Sequence, residues 1–399
     1  MDAYRAWADI DLDALEQNLG VIRSAVGDEV LVMLVVKADA YGHGAVAIAH
    51  HAARSGVEAF GVGTSSEALE LRRAGICEPI LVLGTIVDEE VTACLHYDIH
   101  IGIHSTSRAL ALEEAAERQG RVARVHLNID TGMGRLGVLP ERALEILRTI
   151  DDSPHLELAG VMSHLASPKG DSEASVAEQQ ARFDAVLDAA RREGLLRGWV
   201  HMSNSSGLFA GSGPLYDAVR VGISAYGVVP KNVSWGQNLE PVMSLRTRIV
   251  FLKDLPAGSR VGYDGTYVTA SRRRIATLPV GYNDGVPWRL SNQGHVLVRG
   301  HRAPIVGLVS MDYTTIDVTD IPDVDAGDVA TLIGRDGDDE LFLRDVAECA
   351  ETISYEIACS IGKRVARVFR GRTPRRAAAI LPTPELPTES NSDPVANKP

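Results

Sequence analysis

Eight short aliphatic and β-branched runs recur between residues 31 and 221, and helical periodicity fills the gaps between them. The runs are Leu31–Val36, Glu58–Val62, Ile80–Leu83, Ile99–Ile103, Val122–Ile129, Leu158–Met162, Trp199–Met202 and Ala218–Val221. Thr64 and Glu67 are spaced as a capping box, with Ala68, Leu69 and Leu71 behind them and Gly75 as a stop signal. Phe183, Val186, Leu187 and Ala190 recur at the spacing of one helix face, and Gly194 ends that stretch. Strands alternating with helices predict a parallel sheet. Eight such units predict a (β/α)8 barrel of the TIM type, with an open doubly wound sheet as the alternative.

After Pro230 the texture changes. Alternating runs at Met243–Leu252, Arg274–Pro279, His295–Val298, Ala303–Val309, Thr314–Val318 and Val329–Ile333 are separated by turn signals such as Pro-Ala-Gly and Tyr-Asp-Gly. That pattern predicts a mainly β second domain. Short helical stretches follow near Leu343–Thr352 and Tyr355–Lys363. The fold class read here is therefore α/β, a barrel followed by a mainly β domain. The expected boundaries are 12–237 for the barrel, 238–372 together with 1–11 for the β domain, and 373–399 for a tail. Six of the 18 prolines fall in that tail, which reads as disordered.

Composition enters as exclusion. Forty Lys and Arg against 53 Asp and Glu leave a net charge of −13, which disfavours nucleic acid or an anionic membrane surface as partner. No apolar run approaches the ~20 residues needed to cross a bilayer. The N-terminus lacks a signal-peptide pattern. Four scattered cysteines, with no CxxC pair, speak against a disulfide framework or a cysteine-based metal site and fit a cytoplasmic location.

In a barrel, functional groups follow the C-terminal ends of strands. The first run ends in Lys37, which either caps its strand and reaches solvent or presents an amine at the barrel mouth for chemistry with an aldehyde. Later strand ends carry Asn128, Arg135, His164, His201, the loop Asn204-Ser205-Ser206-Gly207, and Arg220-Val-Gly222-Ile223. One histidine after a strand is ordinarily structural, but so many polar groups on one barrel face point to a site. Ser205, Gly222 and Ile223 lie where barrels often bind phosphate, with backbone N–H groups and a hydroxyl suited to a dianion. A lysine with a phosphate cradle is the sequence pattern of pyridoxal 5′-phosphate (PLP) binding.

These residues resemble the alanine racemase family. The likeness spans about residues 5–371. It includes Val-Val-Lys37-Ala-Asp-Ala-Tyr41-Gly-His-Gly, Asp130-Thr-Gly-Met-Gly-Arg135-Leu-Gly, Ser163-His164, Asn204-Ser205 and Arg220-Val-Gly222-Ile. It continues through Val261-Gly-Tyr263-Asp-Gly-Thr, Leu278-Pro-Val-Gly-Tyr282, Ser310-Met311-Asp312 and Ser354-Tyr355-Glu356. The resemblance implies interconversion of L- and D-alanine, making D-alanine for peptidoglycan, by a lysine and a tyrosine on opposite faces of the substrate. Lys37 would hold PLP and, with Tyr263, be catalytic. Tyr41, Ser205, Gly222, Ile223 and Tyr355 would bind its phosphate. Arg220 would face the ring nitrogen, His201 would orient Arg220, and His164 would lie near the ring in a network with Tyr263. Arg135 and the Met311 backbone would meet the substrate carboxylate, and Tyr282 with Tyr355 would narrow the entrance. The resemblance also implies a head-to-tail homodimer in which Tyr263 comes from the second subunit.

Two positions depart from the family pattern. Asn128 stands where many members carry a carbamylated lysine, so Asn128 and Arg135 are expected to frame a small anion such as chloride, or water. Leu308 replaces an arginine that often precedes the Met-Asp motif. These departures keep open a racemase of broader specificity acting on serine, lysine or arginine. A barrel-type decarboxylase and a non-catalytic PLP-binding protein are further alternatives; Arg220, Tyr263 and the second domain speak against them.

Overall fold

In the computed structural model, residues 4–166, 172–210, 214–229 and 238–372 are described. Strand β1 (Ala6–Asp11) precedes the barrel. The barrel strands are β2 (Leu31–Val35), β3 (Ala59–Val62), β4 (Ile80–Val82), β5 (His100–Ile103), β6 (Ala123–Asn128), β7 (Leu156–Met162), β8 (Trp199–Asn204) and β9 (Ala218–Val221). All eight expected strands are present, with no end moved by more than two residues, and all pair in parallel. The open-sheet alternative is excluded by the pairing of β9 with β2, Leu31 to Ala218 through Leu34 to Val221, which closes the ring. Short, fully buried runs such as Ala59–Val62 and Ile80–Val82 are what a parallel sheet covered on both faces requires.

Helices cover the outside. The Thr64–Glu67 capping box opens helix Ser65–Arg73 as expected. Helix Ser172–Arg192 buries Phe183, Val186, Leu187 and Ala190. Among the described residues no helix is long and apolar enough to cross a membrane.

The remaining strands are β10 (Met243–Arg248), β11 (Phe251–Leu255), β12 (Arg260–Val261), β13 (Tyr267–Val268), β14 (Arg273–Leu278), β15 (His295–Val298), β16 (His301–Pro304), β17 (Thr314–Asp317), β18 (Val329–Asp336), β19 (Asp339–Leu341) and β20 (Ala366–Arg370). They form a seven-stranded sheet in the order β16-β15-β18-β10-β1-β20, with β19 on β18, a three-stranded sheet β11-β14-β17, and the pair β12-β13. The run expected at Met243–Leu252 is two strands in two sheets. It breaks after Ile249, where buried chain gives way to exposed Val250 and Phe251. The run expected at Ala303–Val309 ends early, at Pro304, which has no N–H for the ladder. β20 escapes prediction because its alternation is weak. The tail beyond 372 lies outside the described residues.

The chain begins and returns in the same sheet: β1 pairs in parallel with β20 and antiparallel with β10. Asp9 pins that junction. It accepts from Arg370 Nε at 2.7 Å and from Trp7 Nε1 at 3.0 Å, with Arg246 Nη1 at 3.6 Å, so one buried carboxylate ties three strands. Asp9→Ala leaves a buried indole N–H without its acceptor. It is expected to cost about 1–3 kcal/mol in urea denaturation, without loss of barrel secondary structure by circular dichroism.

Candidate active site

Lys37 leaves β2 into an unusual turn. Ala38, Asp39, Ala40 and Tyr41 all have φ between 52° and 54° and ψ between 44° and 51°, one turn of left-handed helix built without glycine. Each such residue costs roughly 1–2 kcal/mol, so the surroundings must hold it. Glu67 Oε1 accepts from the Ala38 N–H at 2.7 Å while its Oε2 accepts from the Gly63 N–H at 2.7 Å. Asp39 Oδ1 accepts from the Ala45 N–H at 2.7 Å. His43 Nδ1–H donates to the carbonyls of Ala40 and Tyr41, both at 2.9 Å, and its ring stacks on Tyr226. From the β domain, Arg367 Nε donates to Gly42 O at 3.0 Å. The Lys37 side chain passes beside Gly63.

Tyr41 points at the end of β9. A Cβ on Gly222 would stand 2.6 Å from Tyr41 Oη, so a glycine is required for this approach. Ser205 Oγ accepts from the Gly222 N–H at 2.9 Å and lies 2.9 Å from Ser224 Oγ; Ile223 is buried beside them. Tyr355, on helix Ser354–Cys359, lies 5.8 Å ring to ring from Tyr41. Burial raises the Tyr41 and Tyr355 hydroxyls above the usual range, so both are neutral donors. Hydroxyls, backbone N–H groups and a glycine gathered at one barrel corner fit the phosphate of PLP.

Arg220 is 4% exposed and carries the central charge. Its Nη1 donates to His201 Nδ1 at 2.7 Å. Its Nη2 donates to Ser163 O at 2.7 Å and Met202 O at 3.0 Å, with His164 Nδ1 at 3.1 Å. Burial lowers its pKa to about 10, which still leaves it protonated at neutral pH. His164 is pushed down to about 3, by burial first and then by the cations Arg220, Arg135 and Lys37. Three cations therefore surround a neutral imidazole, a field that favours anionic groups at the mouth. Arg135 is exposed, on a loop shaped by Asp130, whose carboxylate accepts from Gly132, Met133 and Gly134 N–H groups at 2.9 to 3.1 Å. Asn128 is buried at the end of β6; no hydrogen bond joins it to Arg135 among the described residues.

A second group gathers on the β domain. Tyr282 N–H donates to Ser310 O at 3.0 Å, and Asn283 N–H to Met311 O at 3.3 Å. Arg364 joins Asp284 and Asp312 beneath them. Gly262, before Tyr263, packs against Leu308 N. Tyr263 is 71% exposed, and Tyr282, Met311 and Tyr313 are also exposed. Among the described residues no hydrogen bond links this group to Lys37, His164 or Arg220. One chain thus brings together Lys37, Tyr41, Arg135, His164, His201, Ser205, Arg220, Gly222, Ile223 and Tyr355, and leaves Tyr263, Tyr282 and Met311 on an outward face.

Glu67 and Asp39 did not stand out as site residues in the sequence. The capping-box signal located Glu67, but only the fold turns its carboxylate onto Ala38. Glu67→Ala is expected to lower stability by about 1–3 kcal/mol. It should also speed amide exchange at Ala38 and Gly63, read by hydrogen exchange, while the rest of the barrel keeps its protection.

The alanine racemase N-terminal domain family matches residues 10–230, and the alanine racemase C-terminal domain family matches residues 242–369. The chain is 40% identical to the alanine racemase of Halothermothrix orenii over 367 residues, 92% of this chain and 97% of that one. The alanine racemase structure from D-cycloserine-producing Streptomyces lavendulae matches with a TM-score of 0.87 at 33% identity, covering 95% of this chain and 100% of that one. The alanine racemase of Bartonella henselae, solved with covalently bound pyridoxal phosphate, matches with a TM-score of 0.82 at 31% identity, covering 92% and 99%. The likeness runs through both domains and nearly the whole length, and the chain belongs to the alanine racemase family of isomerases.

Proposed function

We propose that this protein interconverts L- and D-alanine with PLP through two proton-transfer groups, Lys37 on one face of the substrate and Tyr263 on the other. The observation that carries the reading is Arg220, buried and held by four neighbours, with Lys37 and Arg135 close enough to depress His164. PLP, when bound, supplies the electron sink for charge developing at the α-carbon. Arg220 donates toward its ring nitrogen without giving up a proton, which keeps that sink weak and disfavours side reactions. Tyr41, Ser205, Gly222, Ile223 and Tyr355 hold its phosphate. His201 orients Arg220, and His164 lies near the ring. Lys37 takes the α-proton from one side, and the Tyr263 hydroxyl returns one to the other. Arg135 and the Met311 backbone receive the substrate carboxylate, and Tyr282 with Tyr355 narrows the entrance toward small side chains.

Tyr263 is exposed and has no hydrogen bond to Lys37, His164 or Arg220 among the described residues, which supports a homodimer in which each β domain completes its neighbour's site. It assigns the barrel to 12–237, the β domain to 238–372 with 1–11, and the tail to 373–399. It places the enzyme in the cytoplasm, making D-alanine for peptidoglycan.

Mixing the inactive variants Lys37→Ala and Tyr263→Phe, with subunit exchange, tests both residues and the sharing. Only the mixed dimer has one intact site, so roughly a quarter of wild-type racemisation should return; no recovery places both residues in one chain's site or removes one from the chemistry. Chiral product analysis with L-Ala, L-Ser, L-Lys and L-Arg tests specificity. Alanine is expected to dominate; comparable turnover of the others supports the broader racemase, and carbon dioxide release overturns racemisation.

Asn128 in place of a lysine, with Arg135 kept, motivates an anion site. Exchanging chloride for gluconate at constant ionic strength should raise KM for L-alanine several-fold by loosening Arg135; an unchanged KM removes the anion.

A further inference from the structure

Three buried histidines run through the barrel interior from Arg220 toward the opposite mouth. His201 Nδ1 meets Arg220 Nη1 at 2.7 Å. His201 Nε2 meets His126 Nδ1 at 3.0 Å, and His126 Nε2 meets His100 Nδ1 at 3.0 Å. They sit on β8, β6 and β5, so the link from β6 to β8 must cross β7. Gly160 on β7, the register partner of His126, allows the crossing: a Cβ there would stand 2.5 Å from His126 Nδ1. His100 begins β5 and lines a cavity of about 560 Å³ with Arg124, Gly198 and Trp199.

The chain has a direction. An arginine can only donate, so His201 Nδ1 is a lone pair and its single N–H is on Nε2. That N–H makes His126 Nδ1 an acceptor, and the same step passes to His100. Burial keeps all three rings neutral, so each holds one proton to place. One guanidinium thereby selects the Nε2–H form of three rings, and each aligned bond strengthens the next.

We propose that His126 and His100 are positioning residues which, through His201, form a one-way hydrogen-bond chain that holds Arg220 toward the cofactor ring. The positioning role rests on the assignment of Arg220 to the ring nitrogen; the chain itself does not.

Long-range proton–nitrogen correlation on histidine-labelled protein without cofactor reads the chain directly. Wild type and Arg220→Lys should show only Nε2–H forms at His100, His126 and His201. Arg220→Met removes the template and should give mixed forms at all three, His100 included. Mixed forms in the wild type, or a His100 form indifferent to Arg220→Met, overturn the chain. In the loaded enzyme, His100→Leu leaves His126 Nε2–H without an acceptor and should lower kcat roughly threefold at unchanged KM, with recovery in His100→Gln, whose amide oxygen accepts. An unchanged kcat in His100→Leu, or no recovery in His100→Gln, overturns the positioning role. Failure of the ring-nitrogen assignment shows separately, as a cofactor absorbance in Arg220→Lys identical to that of the wild type.

Discussion

The pairing of β9 with β2 is the contact on which the site depends. It closes the barrel and brings the left-handed turn after β2 against Gly222 and Ile223 after β9. Met33 stands opposite Arg220 in that register, so the strand that leads to Lys37 and the strand that carries Arg220 share one ladder although they are far apart in sequence. An open sheet would place the same strands at its two edges and would part the turn after Lys37 from the Ser205 and Gly222 corner. Closure also encloses Arg220, whose charge then polarises both the mouth and the histidines below it.

Strain at the lysine is held by polar contacts from several elements. Four consecutive left-handed residues are costly, and no glycine relieves them. Glu67, Asp39 and His43 answer the turn's backbone groups from the barrel side, and Arg367 and helix Ser354–Cys359 answer from the β domain. The β domain therefore does more than supply an outward face: it presses on the turn that presents Lys37. A strained segment is kept where its geometry is needed and its surroundings are rigid.

Much of the barrel was legible because its signals are local. Buried runs such as Ile80–Val82 need no partner to be recognised, and the Thr64–Glu67 box names its own helix start. Lys37 stood out because a charge directly after an apolar run is costly without a purpose, and Arg135, His164, Ser205 and Arg220 because so many polar groups gather at the ends of the barrel runs. Less was legible in the β domain, where strand ends depend on which sheet receives the chain, as the break at Ile249 shows. Nor did the run from Ala38 to Tyr41 carry any sign of a left-handed turn, since that conformation is imposed by Glu67 and the β domain.

By itself the sequence determined the order of strands and helices, the chemical types at the strand ends, and the family motifs that join them, because these follow from periodicity and residue identity along the chain. The tertiary structure alone decided that the sheet closes, that Gly160 opens a path for His126 to reach His201, and that Tyr263 stands exposed with no hydrogen bond to the Lys37 group. Each of these is a relation between residues on different strands or domains, set by register, ring closure and steric room, and no local pattern encodes such distances.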